Sequence, residues 1–121
     1  MNPTLKTQRS EALEARMSEF AASVILLTRK APRSIENKVI TEQLIRSATA
    51  IGANYTEANN AASRRDFCNK IFIAKKEAAE TRYWLKLFTK VNDVDVSSYL
   101  AEATELLLIL QRVVTTLRNG Q

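Results

Sequence analysis

Two stretches of this 121-residue sequence place apolar or small side chains at alternating steps of four and three: Phe67, Ile71, Ala74, Ala78, Thr81, Leu85 and Phe88, then Val96, Leu100, Ala103, Leu107, Leu110, Val114 and Leu117. A mean step of 3.5 residues falls just below the 3.6-residue turn of an α-helix, so each set forms one stripe along a helix. It is also the period that left-handed helix packing requires. A strand would need a period of two. A chain carrying such stripes must bury them against further helices, and the upstream half provides two.

Leu13, Met17, Phe20, Val24 and Leu27 share one face of a first predicted helix, with Ser10 as N-cap and Glu11 and Glu14 near the positive end of its dipole. Pro32 ends that segment by disfavouring helical geometry at Ala31. Ile40, Leu44, Ala48, Ile51 and Tyr55 form the buried stripe of a second. Its small residues Ser47, Ala48, Ala50, Gly52 and Ala53 admit a neighbouring helix closely, and a mid-helix glycine, about 1 kcal/mol poorer than alanine, points to tight packing. Ser63, followed by Asp66, caps a third helix, and Asn92-Asp93 separates it from a fourth. The expectation is an all-α, antiparallel up-down-up-down four-helix bundle. It forms one domain over residues 1–121, with helices over residues 10–30, 35–58, 64–90 and 96–118. The third, about 40 Å long, makes this a rod with long flanks.

Composition narrows the chemistry. Hydrophobic residues make up 45% of the chain and there are only two Gly and two Pro, which favours ordered elements over linkers. The absence of histidine removes Ser-His-Asp triads, Cys-His pairs and the Glu-x-x-His pairs of di-metal bundles. Cys68, the one cysteine, has no disulfide partner in the chain and reads as a filler thiol, the competing role being a helix-start thiolate. No glycine-rich phosphate loop is present. Glu57, Glu77, Glu80, Asp93 and Asp95 are not spaced as an acid/base or metal set. No catalytic residue, metal or cofactor is expected, and the chain reads as a protein that is not an enzyme. With no signal-peptide core and no apolar run long enough for a membrane span, a cytoplasmic, reducing setting and no membrane partner are expected.

The flanks carry what remains. Around the third helix, Ile73, Glu77, Glu80 and Trp84 fall on one side of the stripe and Arg64, Lys75, Arg82 and Lys86 on the other, while Phe72 and Tyr83 lie nearly opposite it. Leu106, Ile109 and Val113 form a second apolar row on the fourth helix. Extra apolar rows on adjacent helices point to a homo-oligomer with Ile73, Glu77, Glu80, Trp84, Leu106, Ile109 and Val113 at the contact, Glu77 and Glu80 pairing with Lys or Arg of an adjacent subunit; a merely wide core stripe is the alternative.

The net charge of +5 resides wholly in residues 64–90, where Arg64, Arg65, Lys70, Lys75, Lys76, Arg82, Lys86 and Lys90 face Asp66, Glu77 and Glu80. Lys70 is compensated by Asp66 one turn away. Arg64, Arg65, Lys75, Lys76, Arg82 and Lys86 are the candidate nucleic-acid-binding set, and around a cyclic oligomer they become a ring or channel that contacts phosphates without reading bases. The competing roles for these six are ordinary surface solvation and the recognition of an acidic protein partner.

The segment Leu44-Ile-Arg-Ser-Ala-Thr-Ala-Ile-Gly-Ala-Asn-Tyr-Thr-Glu-Ala58, followed after a short gap by residues 64–87, RRDFCNKIFIAKKEAAETRYWLKL, resembles the four-helix bundle family associated with intervening sequences of bacterial 23S rRNA genes, also labelled S23 ribosomal protein. The accessory protein of diversity-generating retroelements resembles the same family. The family pattern falls on Arg46, Ser47, Gly52, Asn54 and Glu57, then on Phe67, Ala74, Glu77, Glu80, Tyr83, Trp84 and Leu85, as packing and inter-helix polar positions. Tyr55 departs from it, standing where many relatives carry Ile or Val. The resemblance implies a homopentamer and RNA or DNA as partner. A non-catalytic scaffold binding nucleic acid through phosphates is the leading expectation. The alternative is a protein-interaction module within a nucleic-acid-processing complex.

Overall fold

The computed structural model describes residues 3–120, with side chains from residue 8 onward. Four helices follow one another: α1 (Pro3–Thr28), α2 (Ile35–Asn59), α3 (Arg64–Asn92) and α4 (Ser97–Asn119). They form an all-α bundle in which each helix packs on its sequence neighbours and α1 and α4 meet least closely to complete the ring. Short connections force the up-down-up-down order.

The helix ends follow local chemistry. Ser34 and Ser63 cap α2 and α3, their Oγ atoms each accepting from the backbone N–H three residues on, that of Asn37 and that of Asp66, at 3.0 Å. At the end of α3, Asp93 adopts a left-handed conformation (φ 52°) and donates its N–H to the Thr89 carbonyl, turning the chain toward α4. Before α4, Asp95 Oδ1 accepts from the N–H and the hydroxyl of Ser97. Those bonds hold the Asp95 carboxyl below the usual aspartate range. One expected boundary is corrected: α1 does not begin at Ser10 but at Pro3. Residues 4–9 contain no helix breaker, and a proline is tolerated in the first turn because the N–H it lacks has no partner there.

The core is formed by the predicted stripes of all four helices, including Met17, Leu27, Leu44, Ile51, Ile71, Leu85 and Phe88. Gly52 lies against α1, where a Cβ would stand 3.1 Å from Met17 Cβ, so the glycine marks a close helix approach as its position implied. A second correction concerns α4. Leu106, expected in an intersubunit row, is 0% exposed within the chain, whereas its neighbour Leu107 is only partly buried. In a four-helix ring α4 faces two neighbours, so its buried arc is wider than one heptad stripe. Leu106 lies one turn from Glu102, which grips Arg16 of α1 at 2.7 and 2.8 Å, and so it occupies the α1-facing side.

Candidate nucleic-acid interface

Helix α3 spans 29 residues and its two flanks are chemically opposite. On the flank toward α2, the Arg46 guanidinium reaches across and donates through Nη1 to both Glu77 carboxylate oxygens, at 3.2 and 3.3 Å, and through Nη2 to Glu80. The Trp84 indole donates to the same Glu80 oxygen at 3.0 Å. That indole bond, more than the Arg46 contact, holds the Glu80 carboxyl below the usual glutamate range against the opposing effect of burial. Glu77 is 7% exposed. The expected pairing of Glu77 and Glu80 with an adjacent subunit is therefore corrected: the partner is Arg46 of the same chain. Beneath this network Thr81 donates to Ser47, joining α2 to α3 inside the core. Lys70, expected to pair with Asp66, turns instead to Glu57 of α2 at 3.4 Å.

The flank toward α4 and the outward face behave differently. Among the described residues, none of Arg64, Arg65, Lys75, Lys76, Arg82 and Lys86 has a carboxylate within ion-pair distance. The structure divides these six into two groups. Arg65, Lys76 and Lys86 stand exposed on the outward face. Arg64, Lys75 and Arg82 are held closer to the bundle: Arg64 donates to the Leu117 carbonyl of α4 at 3.2 Å, Lys75 is half-buried with its ammonium over the Phe72 ring, and the enclosed Arg82 Nε has no hydrogen-bond partner among the described residues.

Three features lay outside the expected set. Lys90 is exposed on the same outward face, and Arg118 of α4 sits 5.6 Å from the Phe72 centroid, opposite in chain direction but adjacent in space. Phe72 and Tyr83 are 44% and 59% exposed, the latter edge-on to Trp84 at 5.0 Å between ring centroids. Lys90 and the aromatics were accessible from spacing alone, because positions 65, 69, 72, 76, 79, 83, 86 and 90 step by four and three like the core stripe. Arg118 carries no such signal, since only folding brings it to α3.

Of the remaining interface candidates, Ile73, Trp84, Ile109 and Val113 are partly buried at the bundle surface. Cys68 is a half-buried free thiol. Among the described residues, no cluster of three carboxylate or thiol side chains is placed to hold a metal ion, and no helix is long and apolar enough to cross a membrane.

Fold and surface together define a helical-bundle module with one flank neutralised internally and one face left cationic and studded with aromatic rings. The chain belongs to the 23S rRNA-intervening sequence protein family, which matches it over residues 12–113. It is also similar to a crystal structure of a protein of unknown function from the S23 ribosomal protein family of Bacteroides thetaiotaomicron. The two are 36% identical, the match covers 84% of this chain and 96% of that one, and the TM-score is 0.76. No curated protein matches the chain.

Proposed function

We propose that this protein is a non-catalytic scaffold that binds RNA or DNA through phosphate contacts on α3. The observation that carries this reading is the unpaired state, among the described residues, of Arg64, Arg65, Lys75, Lys76, Arg82 and Lys86, while acidic side chains are paired on the opposite flank. Unneutralised cations held along a rigid helix bind polyanions by releasing condensed counterions, with little sequence preference. The family's name, which refers to an intervening sequence of 23S rRNA, is in keeping with an RNA setting.

The acting unit, on this proposal, is a homo-oligomer joined through the half-buried Ile73, Trp84, Ile109 and Val113; kinship with the retroelement accessory protein would make it a pentamer. Light scattering of the purified protein with and without mixed RNA and DNA reads subunit number and association together.

The binding test is fluorescence anisotropy with RNA and duplex DNA across a salt series. About six phosphate contacts should weaken binding roughly a thousand-fold between 50 and 200 mM salt. Reversing Lys76 and Lys86 to Glu should abolish most binding while leaving helicity intact, because both are exposed. Absence of binding to any nucleic acid at low salt would overturn the reading. A protein-interaction module is the second reading, favoured by apolar exposure at Ile35 (86%), Val39 and Val91. A stoichiometric protein complex that survives nuclease treatment would support it.

A further inference from the structure

The outward face of α3 has a composition that phosphate binding alone does not require. Positions 65, 69, 72, 76, 79, 83, 86 and 90 are all exposed and lie within about 50° of one line along the helix. No acid stands on that line. It carries four cations and two rings, Arg65, Lys76, Lys86 and Lys90 with Phe72 and Tyr83, the remaining two positions being Asn69 and Ala79, so that cations stand at both ends and between the rings.

Phe72 and Tyr83 are eleven positions apart, about 16 Å along the axis. That is the length of about five stacked nucleotides. Between the rings Ala79 presents only a methyl group, which leaves a shallow depression also walled by Phe72, Ile73, Lys75 and Lys76. Two cations lie over the Phe72 ring, Lys75 Nζ 6.0 Å from its centroid and Arg118 5.6 Å from it, so the ring is already used as a stacking surface for planar or cationic groups. A base that stacks here takes the place of one of them, and the displaced cation is then free to meet the strand's phosphates.

A duplex has its base faces stacked on one another and offers a helix face only phosphates and groove edges, so exposed rings add nothing to its binding. A single strand offers a π-face at every nucleotide. A second copy of the chain related by a two-fold axis fits this face poorly, because it would set the row of unpaired cations against itself.

We infer that the outward face of α3 is a track for single-stranded nucleic acid, on which bases stack against Phe72 and Tyr83 while Arg65, Lys76, Lys86 and Lys90 hold the phosphates. This rests on the nucleic-acid reading above and specifies its ligand as an unpaired strand, RNA and DNA alike.

The test measures anisotropy of the whole protein with a labelled 12-nucleotide strand, as RNA and as DNA, and with each strand annealed to its complement. Single strands should bind about ten-fold or more tightly than the duplexes at equal salt. Phe72→Ala and Tyr83→Ala should each weaken single-strand binding by about ten-fold, leaving the duplex affinity and the salt slope unchanged. Phe72→Leu, which keeps the apolar bulk without the ring, should behave like Phe72→Ala. Trp84, the one tryptophan and in edge contact with Tyr83, should change its emission when a strand binds but not when a duplex does. Equal or tighter duplex binding overturns the inference. So does loss of affinity in Lys76→Glu/Lys86→Glu with no effect of the ring substitutions, a result that leaves phosphate binding standing. No binding of any strand at low salt overturns both.

Discussion

The side-chain amides of Asn37 and Asn92 donate to each other reciprocally, each Nδ2 to the other Oδ1 at 2.9 Å, and thereby fasten the start of α2 to the end of α3. The remaining amide protons reach the Pro32 and Phe88 carbonyls at 2.8 and 3.1 Å, so the Asn37 side chain also ties down the α1–α2 connection. Asn37 is buried. A buried amide with all its donors used is stabilising, but one left without its partner costs the full desolvation of the orphaned group.

Asn37→Ala should therefore destabilise the bundle by about 1–3 kcal/mol. Urea denaturation followed by circular dichroism reads this as a lowered midpoint at unchanged slope. A midpoint equal to that of the parent would mean that the amide pair contributes nothing net.

Arg46→Ala leaves the buried Glu77 carboxylate without its counter-charge. Because the Arg46 side chain is itself 45% exposed, the loss should be smaller than for a fully enclosed pair, about 1–3 kcal/mol. Changing Glu77 to Gln as well should recover part of it, since the uncompensated charge disappears. A double-mutant cycle on thermal melts measures the coupling, and strict additivity would refute the network.

The Glu80 carboxyl titrates below the usual glutamate range in the folded protein, first through the Trp84 indole and then through Arg46. In the unfolded chain it titrates near about 4.3. Its contribution to stability is thus complete above the unfolded value and is lost as pH falls through the lowered folded value. The stability gap between the parent and Glu80→Gln should be constant from pH 7 to about 5 and narrow below about 4. A gap independent of pH throughout would show that the indole and guanidinium do not select the ionised form.

Gly52→Ala sets two effects in opposition. Alanine gains up to about 1 kcal/mol of helix propensity, but the new methyl meets Met17 Cβ at 3.1 Å. That atom is bonded to the α1 backbone and cannot swing away, so α1 must shift, at a cost of about 1–3 kcal/mol for overpacking. The net should be a loss of about 1 kcal/mol in urea denaturation. A gain would show that α1 moves freely at this crossing.

What was legible in the sequence follows from periodicity. The heptads of α3 and α4 and the stripes of α1 and α2 define the bundle because burial repeats with the helical turn. The Ser63 cap was legible because a cap bonds three residues away, whereas Ser10 has a cap's composition but lies inside a helix that begins at Pro3. Partners across helices were not: Arg46 meets Glu77 and Asn37 meets Asn92 over separations of 31 and 55 residues, and no spacing rule carries a phase that far. The same limit put Leu106 in an outer row, because one stripe per helix ignores the second neighbour that a closed ring supplies. The basic set was legible as composition, but its division between exposed cations and those held at the bundle depends on contacts that only folding supplies, such as the Leu117 carbonyl for Arg64 and the Phe72 ring for Lys75.

The separation of α3 into a flank that holds the bundle and an outward face that contributes no side chain to the core has a consequence for how this surface can change. Substitutions at 65, 69, 72, 76, 79, 83, 86 and 90 leave the core and the amide clasp untouched, and they reach the Arg46 network only at its edge, through the Tyr83 contact with Trp84 and the charge of Lys76 near Glu80. A library randomised at those positions should return mostly folded proteins with a wide spread of ligand preferences, whereas the same library shifted by one residue, onto 66, 70, 73, 77, 80, 84, 87 and 91, should return few. Affinity and foldability are thus inherited by separate sets of positions on a single helix, and selection can act on either without disturbing the other.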